Sequence, residues 1–303
     1  MAERLEVAKT YKLYIDGKFP RSESGRTFAV NDAKGRVAAH MCRASRKDLR
    51  DAVSAARKAL TPWRDATAYL RAQIMYRMAE MMEGKRDEFV AALCVGGDAA
   101  AKAAETQVTA AIDRLVAFAG WADKYAQVLG CNNQVAGPYY NFTVPEPTGV
   151  VAVIAPDEPG LLGLISLIAP VVCAGNTCVA VGGAGTGASL ATVILGEVMA
   201  TSDVPGGVVN LLTGDRAELI PFIAGHRDID AIHAAGVTPD QRLALREGAA
   251  ENVKRVTVRD LDAKRAKKGA AHAVDLFDAE ACESPWWVEP FVEMKTIWHP
   301  SAT

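Results

Sequence analysis

Between Gly149 and Ser189 the chain reads GVVAVIAPDEPGLLGLISLIAPVVCAGNTCVAVGGAGTGAS, and this run sets the rhythm of the chain as far as Val258. GVVAVIAP is apolar and β-branched, the mark of a buried strand. LLGLISLIAPVV suits a buried helix, NTCVAV a second strand, and SLATVILGEVMA, after a glycine turn, a second helix. The alternation continues with GVVNLLTG (strand), AELIPFIAGH (helix), IDAIHAAG (strand), PDQRLALREGAA (helix) and VKRVTV (strand). Strands and helices in strict alternation predict a parallel sheet with helices on both faces, an α/β doubly wound fold. Pro159 to Gly196 carries no charged side chain, which is long enough to cross a bilayer. Pro170, AGNT and the glycine run break it into shorter pieces, so no membrane segment is expected.

Upstream, YKLYIDGKF (Tyr11–Phe19) alternates and turns at Asp16-Gly17, which predicts a hairpin arm. Ser45 with Asp48 predicts a capping box opening a helix with Leu49, Val53, Ala56 and Leu60 on one face. Leu70, Ile74, Met75, Met78 and Met82 stripe a second helix and read as core. Val108, Ile112, Leu115, Val116 and Ala119 stripe a third, so the first 125 residues are mainly helical. Gln127 to Val144 suits a protruding two-stranded element. Downstream of Val258 the texture becomes charged and small, as in a linker. Within it KRAKK (Lys264–Lys268) is the basic cluster, read as solvated. The ending WWVEPFVEMKTIWHP is aromatic and β-branched, a strand with no obvious hairpin mate that invites pairing with another element or chain.

The 303 residues suffice for a large α/β domain or two domains. Thirty-four basic against thirty-six acidic side chains leave no net field to attract nucleic acid or anionic lipid. Six cysteines without C-x-x-C spacing, and no signal-peptide pattern, lead to an expected cytoplasmic location. No metal site is expected, and Cys173 and Cys178 read as small core residues.

GWADKY (Gly120–Tyr125), EPTGVVAVIAP (Glu146–Pro156), IAPVVCAGNTCVAV (Ile168–Val181), VPGGVVNLLTGD (Val204–Asp215), DIDAIHAAG, NVKRVTV and FVEMKTIWH (Phe291–His299) together resemble, in order and spacing, the aldehyde dehydrogenase superfamily. The resemblance covers most of the chain outside about 259 to 284. It implies a coenzyme-type α/β domain over 1–126 and 147–258. It also implies an oligomerisation hairpin and tail strand over 127–146 and 285–303. A linker over 259–284 takes the place of the family's catalytic domain.

The family's chemistry can be traced position by position. No F-x-N-x-G-Q-x-C motif carries a nucleophilic cysteine, and Cys282 lacks those surroundings. Where the family has Trp and an oxyanion-holding Asn, this chain has Asp157 and Glu158. A carboxylate cannot donate to an oxyanion, so both are expected to cap the helix after Pro159, with an acid/base or metal pair as the minor alternative. The family's general-base glutamate falls at Arg259, which stays protonated. Of two glycines near the cofactor phosphates, Gly236 is kept and Gln241 replaces the other. His233 reads as a core histidine. The family's ribose-holding lysine and glutamate are replaced by Val181 and Ala184. The G-x-G-x-x-A match at Gly183, Gly185 and Ala188 is therefore read as accidental.

Two functions fit this pattern. The first is a non-catalytic structural subunit with no expected cofactor, resembling the shortened second module of two-module aldehyde dehydrogenases. It would associate with a full-length aldehyde dehydrogenase as a hetero-oligomer, or with itself. Its interface residues would be Phe291, Val292, Met294, Thr296, Ile297 and Trp298. The second is an NAD(P)-dependent aldehyde oxidoreductase, or its cofactor half, acting through the Gly-rich loop 182–187 with Gly183, Gly185 and Gly236. A cofactor-free ligand-binding module using the old cleft is a third.

Overall fold

The structure is a computed structural model that describes residues 8–97, 99–261 and 273–301. Its short strands β1 (Lys9–Tyr11), β2 (Thr27–Asn31) and β3 (Val37–Cys42) form a small sheet in the order β1-β3-β2. Between β1 and β2 the Asp16-Gly17 turn is present, with φ of 55° and 72°. The expected hairpin is reduced to one bridge, Ile15 to Lys18. Tyr14, buried, exchanges hydrogen bonds with Leu211 instead (3.0 and 2.7 Å). A long-range edge was available to the arm, and it offered both burial and backbone pairing.

Helices α1 (Arg46–Asp65), α2 (Ala68–Gly84), α3 (Arg86–Cys94), α4 (Ala101–Trp121) and α5 (Tyr125–Leu129) come after the small sheet. The Ser45–Asp48 capping box opens α1 as its sequence dictates. Met75, Met78 and Met82 of α2 are fully buried, so this stripe is core. Strands β4 (Cys131–Asn133) and β5 (Tyr139–Pro147) come next.

The main sheet consists of β6 (Val150–Ile154), β7 (Thr177–Val181), β8 (Val209–Leu212), β9 (Ala231–Ala235) and β10 (Arg255–Arg259). All its pairs are parallel, in the order β10-β9-β6-β7-β8. Helices α6 (Gly160–Cys173), α7 (Thr186–Thr201), α8 (Arg216–Gly225) and α9 (Pro239–Ala250) make the crossovers. One core joins α2, α4, α6 and α7 to the sheet face of Val151 and Val153. The other joins α1, α8 and Leu245 of α9 to the face of Val150, Ala152 and Ile154. After β8 the chain returns to the far side of β6, so the strand order reverses between β6 and β9. Ligands of doubly wound sheets bind outside the strand ends at such a point.

The tail contains α10 (Ala279–Cys282), two 3-10 turns and β11 (Val292–Pro300). The described part of the expected linker is packed: Leu276 and Cys282 are buried, as are Trp287, Val288 and Phe291 beyond it. The fastening is Arg114 of α4, 1% exposed. It donates to Ser166 Oγ (2.6 Å), to the Leu276 carbonyl (2.8 Å) and to Glu283 (3.3 Å). Lys264–Lys268 lies outside the described residues. The tail strand pairs with another element of this chain, one of the two kinds of mate its sequence invites. β11 pairs antiparallel with β5 over nine positions, from Val292–Pro147 to Pro300–Tyr139, in the sheet order β11-β5-β4.

Candidate functional site

The strand ends at the reversal point converge on Pro156, the second residue beyond β6. Gly163, Gly183 and Gly236 crowd it: a Cβ on Gly163 or Gly183 would overlap Pro156, and one on Gly236 would lie 2.8 Å from Pro156 Cβ. Gly236 also has φ +63°, a left-handed conformation that glycine adopts without cost. Gly185 differs. It is the N-cap of α7 with no side-chain cap, and a Cβ there would meet nothing within 4 Å. The space beside Gly185 is therefore unfilled by this chain, while Gly183 and Gly236 serve close packing.

Asp157 does not cap α6. Its carboxylate accepts the Ala184 N–H (2.7 Å) and Arg216 Nη2 (2.7 Å), while Arg216 Nη1 donates to the Ala155 carbonyl (2.7 Å). The buried N–H groups at the start of α6 are taken by Gln107 of α4, whose Oε1 accepts from Leu161 (2.9 Å) and Leu162 (3.4 Å). A charge on Arg216 outcompeted the helix terminus for Asp157. Glu158 is solvent-exposed. Asp215 caps α8 through Ala217 N–H and also meets Arg43. Gln241 has a structural role as well, closing a reciprocal capping box with Thr238 at the start of α9.

Half-buried Arg259 pairs with buried His233 under Trp287. Arg259 Nε donates to His233 Nε2 (3.3 Å), and the guanidinium carbon sits 4.2 Å from the Trp287 ring centroid. His233 Nδ1–H donates to the Leu167 carbonyl (3.0 Å), and the Phe291 ring lies 4.6 Å away. Burial, then the neighbouring Arg259 charge, holds His233 well below its ordinary 6.5. It is a neutral core histidine, and a guanidinium cannot serve as its base partner. Cys282 donates to the Asp275 carbonyl (3.3 Å), and burial pushes its thiol up to about 11. Cys173 and Cys178 are raised to about 12 by burial. All three are thiols at neutral pH, so none is an activated nucleophile. Among the described residues no group of His, Cys, Asp or Glu could hold a metal ion. No helix among them is long and apolar enough to cross a membrane.

The candidate interface divides. Phe291 and Val292, expected on it, are buried in this chain's own core, with the Phe291 ring against His233. Met294 and Trp298 are 46% and 58% exposed, Thr296 is exposed and Ile297 half-buried. Tyr140, 61% exposed, lies on the paired strand. Sequence reading missed Arg216, Gln107 and Arg114, because their partners lie far along the chain. The Thr238–Gln241 box was legible as T-x-x-Q but was read only as a lost glycine.

A reversing five-stranded parallel sheet with glycines gathered at its strand ends is the architecture of a dinucleotide-binding domain. The model of the aldehyde dehydrogenase family matches residues 19–265, and the chain belongs to that family. It is 34% identical over 259 residues to retinal dehydrogenase 2 of Mus musculus, covering 84% of this chain and 49% of that protein. It is 32% identical over 293 residues to 2-hydroxymuconic semialdehyde dehydrogenase of Pseudomonas sp. (strain CF600), covering 90% and 59%. The NAD+ complex of a Bacillus cereus aldehyde dehydrogenase superposes with a TM-score of 0.77 at 29% identity, covering 86% of this chain and 55% of that one. The chain thus spans about half the length of the curated relatives it matches. These likenesses overturn the expectation that no cofactor is involved, since the matching structures include an NAD+ complex.

Proposed function

We propose that this chain is a non-catalytic assembly subunit of the aldehyde dehydrogenase family, whose strand-end crevice still takes a nicotinamide dinucleotide. The observation that carries the reading is Arg259. It stands where the resemblance puts the general base, tied to His233 and covered by Trp287 of the packed tail. A nicotinamide dinucleotide, when bound, supplies a hydride-accepting ring. The residues present fit its phosphates at the open backbone of Gly185, which no side chain caps. Assembly falls to β11, an edge strand whose outer side is unpaired among the described residues, together with Met294, Trp298 and Tyr140. The partner is an active, cysteine-bearing aldehyde dehydrogenase, with a second copy of this chain as the alternative. Six free thiols suit the cytoplasm.

The open Gly185 backbone also favours the second reading, an NAD(P)-dependent aldehyde oxidoreductase or its cofactor half. Aldehyde-dependent NAD(P)H formation by the purified chain alone separates the two: none is expected of the assembly subunit, and turnover would establish the oxidoreductase.

A further inference from the structure

Asp157 lies at the strand-end crevice, bound by donors from two other segments. Its two carboxylate oxygens are held at 2.7 Å by the Ala184 N–H of the glycine loop and by Arg216 Nη2. Those donors come from two separate connections, the loop between β7 and α7 and the first residue of α8. Arg216 is anchored from its other nitrogen by the Ala155 carbonyl at the end of β6, and its side chain is only 11% exposed. The cation is therefore built into the strand ends, whereas the Asp157 side chain is 48% exposed and free to leave toward solvent. A backbone N–H and a guanidinium fork, converging beside an open glycine, suit a phosphate as well as they suit a carboxylate.

We infer that Asp157 is an internal competitor for a phosphate-bearing ligand and that Arg216, uncovered when Asp157 swings out, is a phosphate-binding residue of this crevice. The inference rests on the reading that the crevice accepts a dinucleotide, and it assigns that binding a cationic residue and a gate. The lysine and glutamate of the family pattern are missing at Val181 and Ala184. Arg216 offers a cation from a different strand end in their stead. A ligand that must displace Asp157 binds with an affinity reduced by the fraction of time the cradle is closed.

The test is calorimetric titration of the full chain with inorganic pyrophosphate and, separately, with NAD+ and NADP+. Three variants are compared: Asp157→Ala, Asp157→Asn, and Asp157→Ala combined with Arg216→Gln. Asp157→Asn keeps the side-chain shape should the alanine variant fold poorly. The expected result is pyrophosphate binding tightened about tenfold in the single variants, with the gain lost in the double variant. Unchanged affinity in well-folded single variants would overturn the inference, and so would a gain that survives loss of Arg216. A gain for pyrophosphate but for neither dinucleotide would uphold the gate while removing the dinucleotide reading on which it was built.

Discussion

His233 shows how burial fixes a residue's chemistry. Its ring lies between β9 and the tail, with one nitrogen donating to Leu167 and the other accepting from Arg259. A proton would bring a second positive charge against the guanidinium inside the core. Below about pH 6.5 the unfolded chain takes up a proton that the folded form refuses, so stability falls as pH drops through that window. The slope for one such group is about 1.4 kcal/mol per pH unit. Burial lowers His226 too and adds in the same direction. Urea unfolding at pH 7 and pH 5.5 should show the loss, and His233→Asn should flatten part of it; an unchanged slope in that variant would assign the loss to other groups. Glycines permit a second test. Gly183→Ala drives a methyl into Pro156 and Ala188 and should cost about 1–3 kcal/mol as overpacking, read as a lowered Tm. Gly185→Val points into open space and should leave Tm nearly unchanged while weakening any NAD+-dependent thermal shift. At this scale the sequence was half legible. The positions of Arg259 and Gly236 came from the family resemblance, whereas the packing of Gly183 and Gly236 on Pro156 and the pairing of Asp157 with Arg216 depend on contacts that only the fold brings near.

Among the elements, those with a strong local period were legible and those with distant partners were not. The methionine stripe of α2 and the β-branched runs of β6 and β7 bury what their patterns dictate. The tail from Ala273 to Phe291 carries no such period, because it is held by single long-range contacts. Arg114, Trp121 and Asn176 each donate to a carbonyl of this segment, at Leu276, Glu283 and Phe291. Its Trp287 and Phe291 then cover His233, on a sheet face that α6 leaves open. Arg114→Met should fill much of the same volume yet strand Ser166, the Leu276 carbonyl and Glu283. The expected cost is about 2–4 kcal/mol, since a buried donor to several acceptors is removed. Hydrogen exchange in residues 273–291 should rise before that of β6 and β7. Uniform exchange across both would show that the tail is not a separately fastened unit.

Over the whole molecule, the parallel sheet and its two helical layers were legible from alternation alone, and the family from the order of its blocks. The extent of the candidate interface was harder to read, because an edge strand and a core strand share the same β-branched composition. Phe291 just before the tail strand and Val292 at its start lie inside the core, and of the candidate interface only Met294, Thr296, Ile297 and Trp298 stay accessible. Deleting the tail would therefore disturb the core as well as remove the candidate interface. Met294→Lys with Trp298→Glu places charges on exposed positions and tests association with the fold intact.

Native mass measurement of the tagged chain, co-expressed with a cysteine-bearing aldehyde dehydrogenase from its own host, tests the assembly reading most directly. The expected result is a complex of fixed stoichiometry containing both chains, which the Met294→Lys, Trp298→Glu variant loses while keeping its Tm within a few degrees. A free monomer, together with aldehyde-dependent NADH formation by the chain on its own, would contradict it.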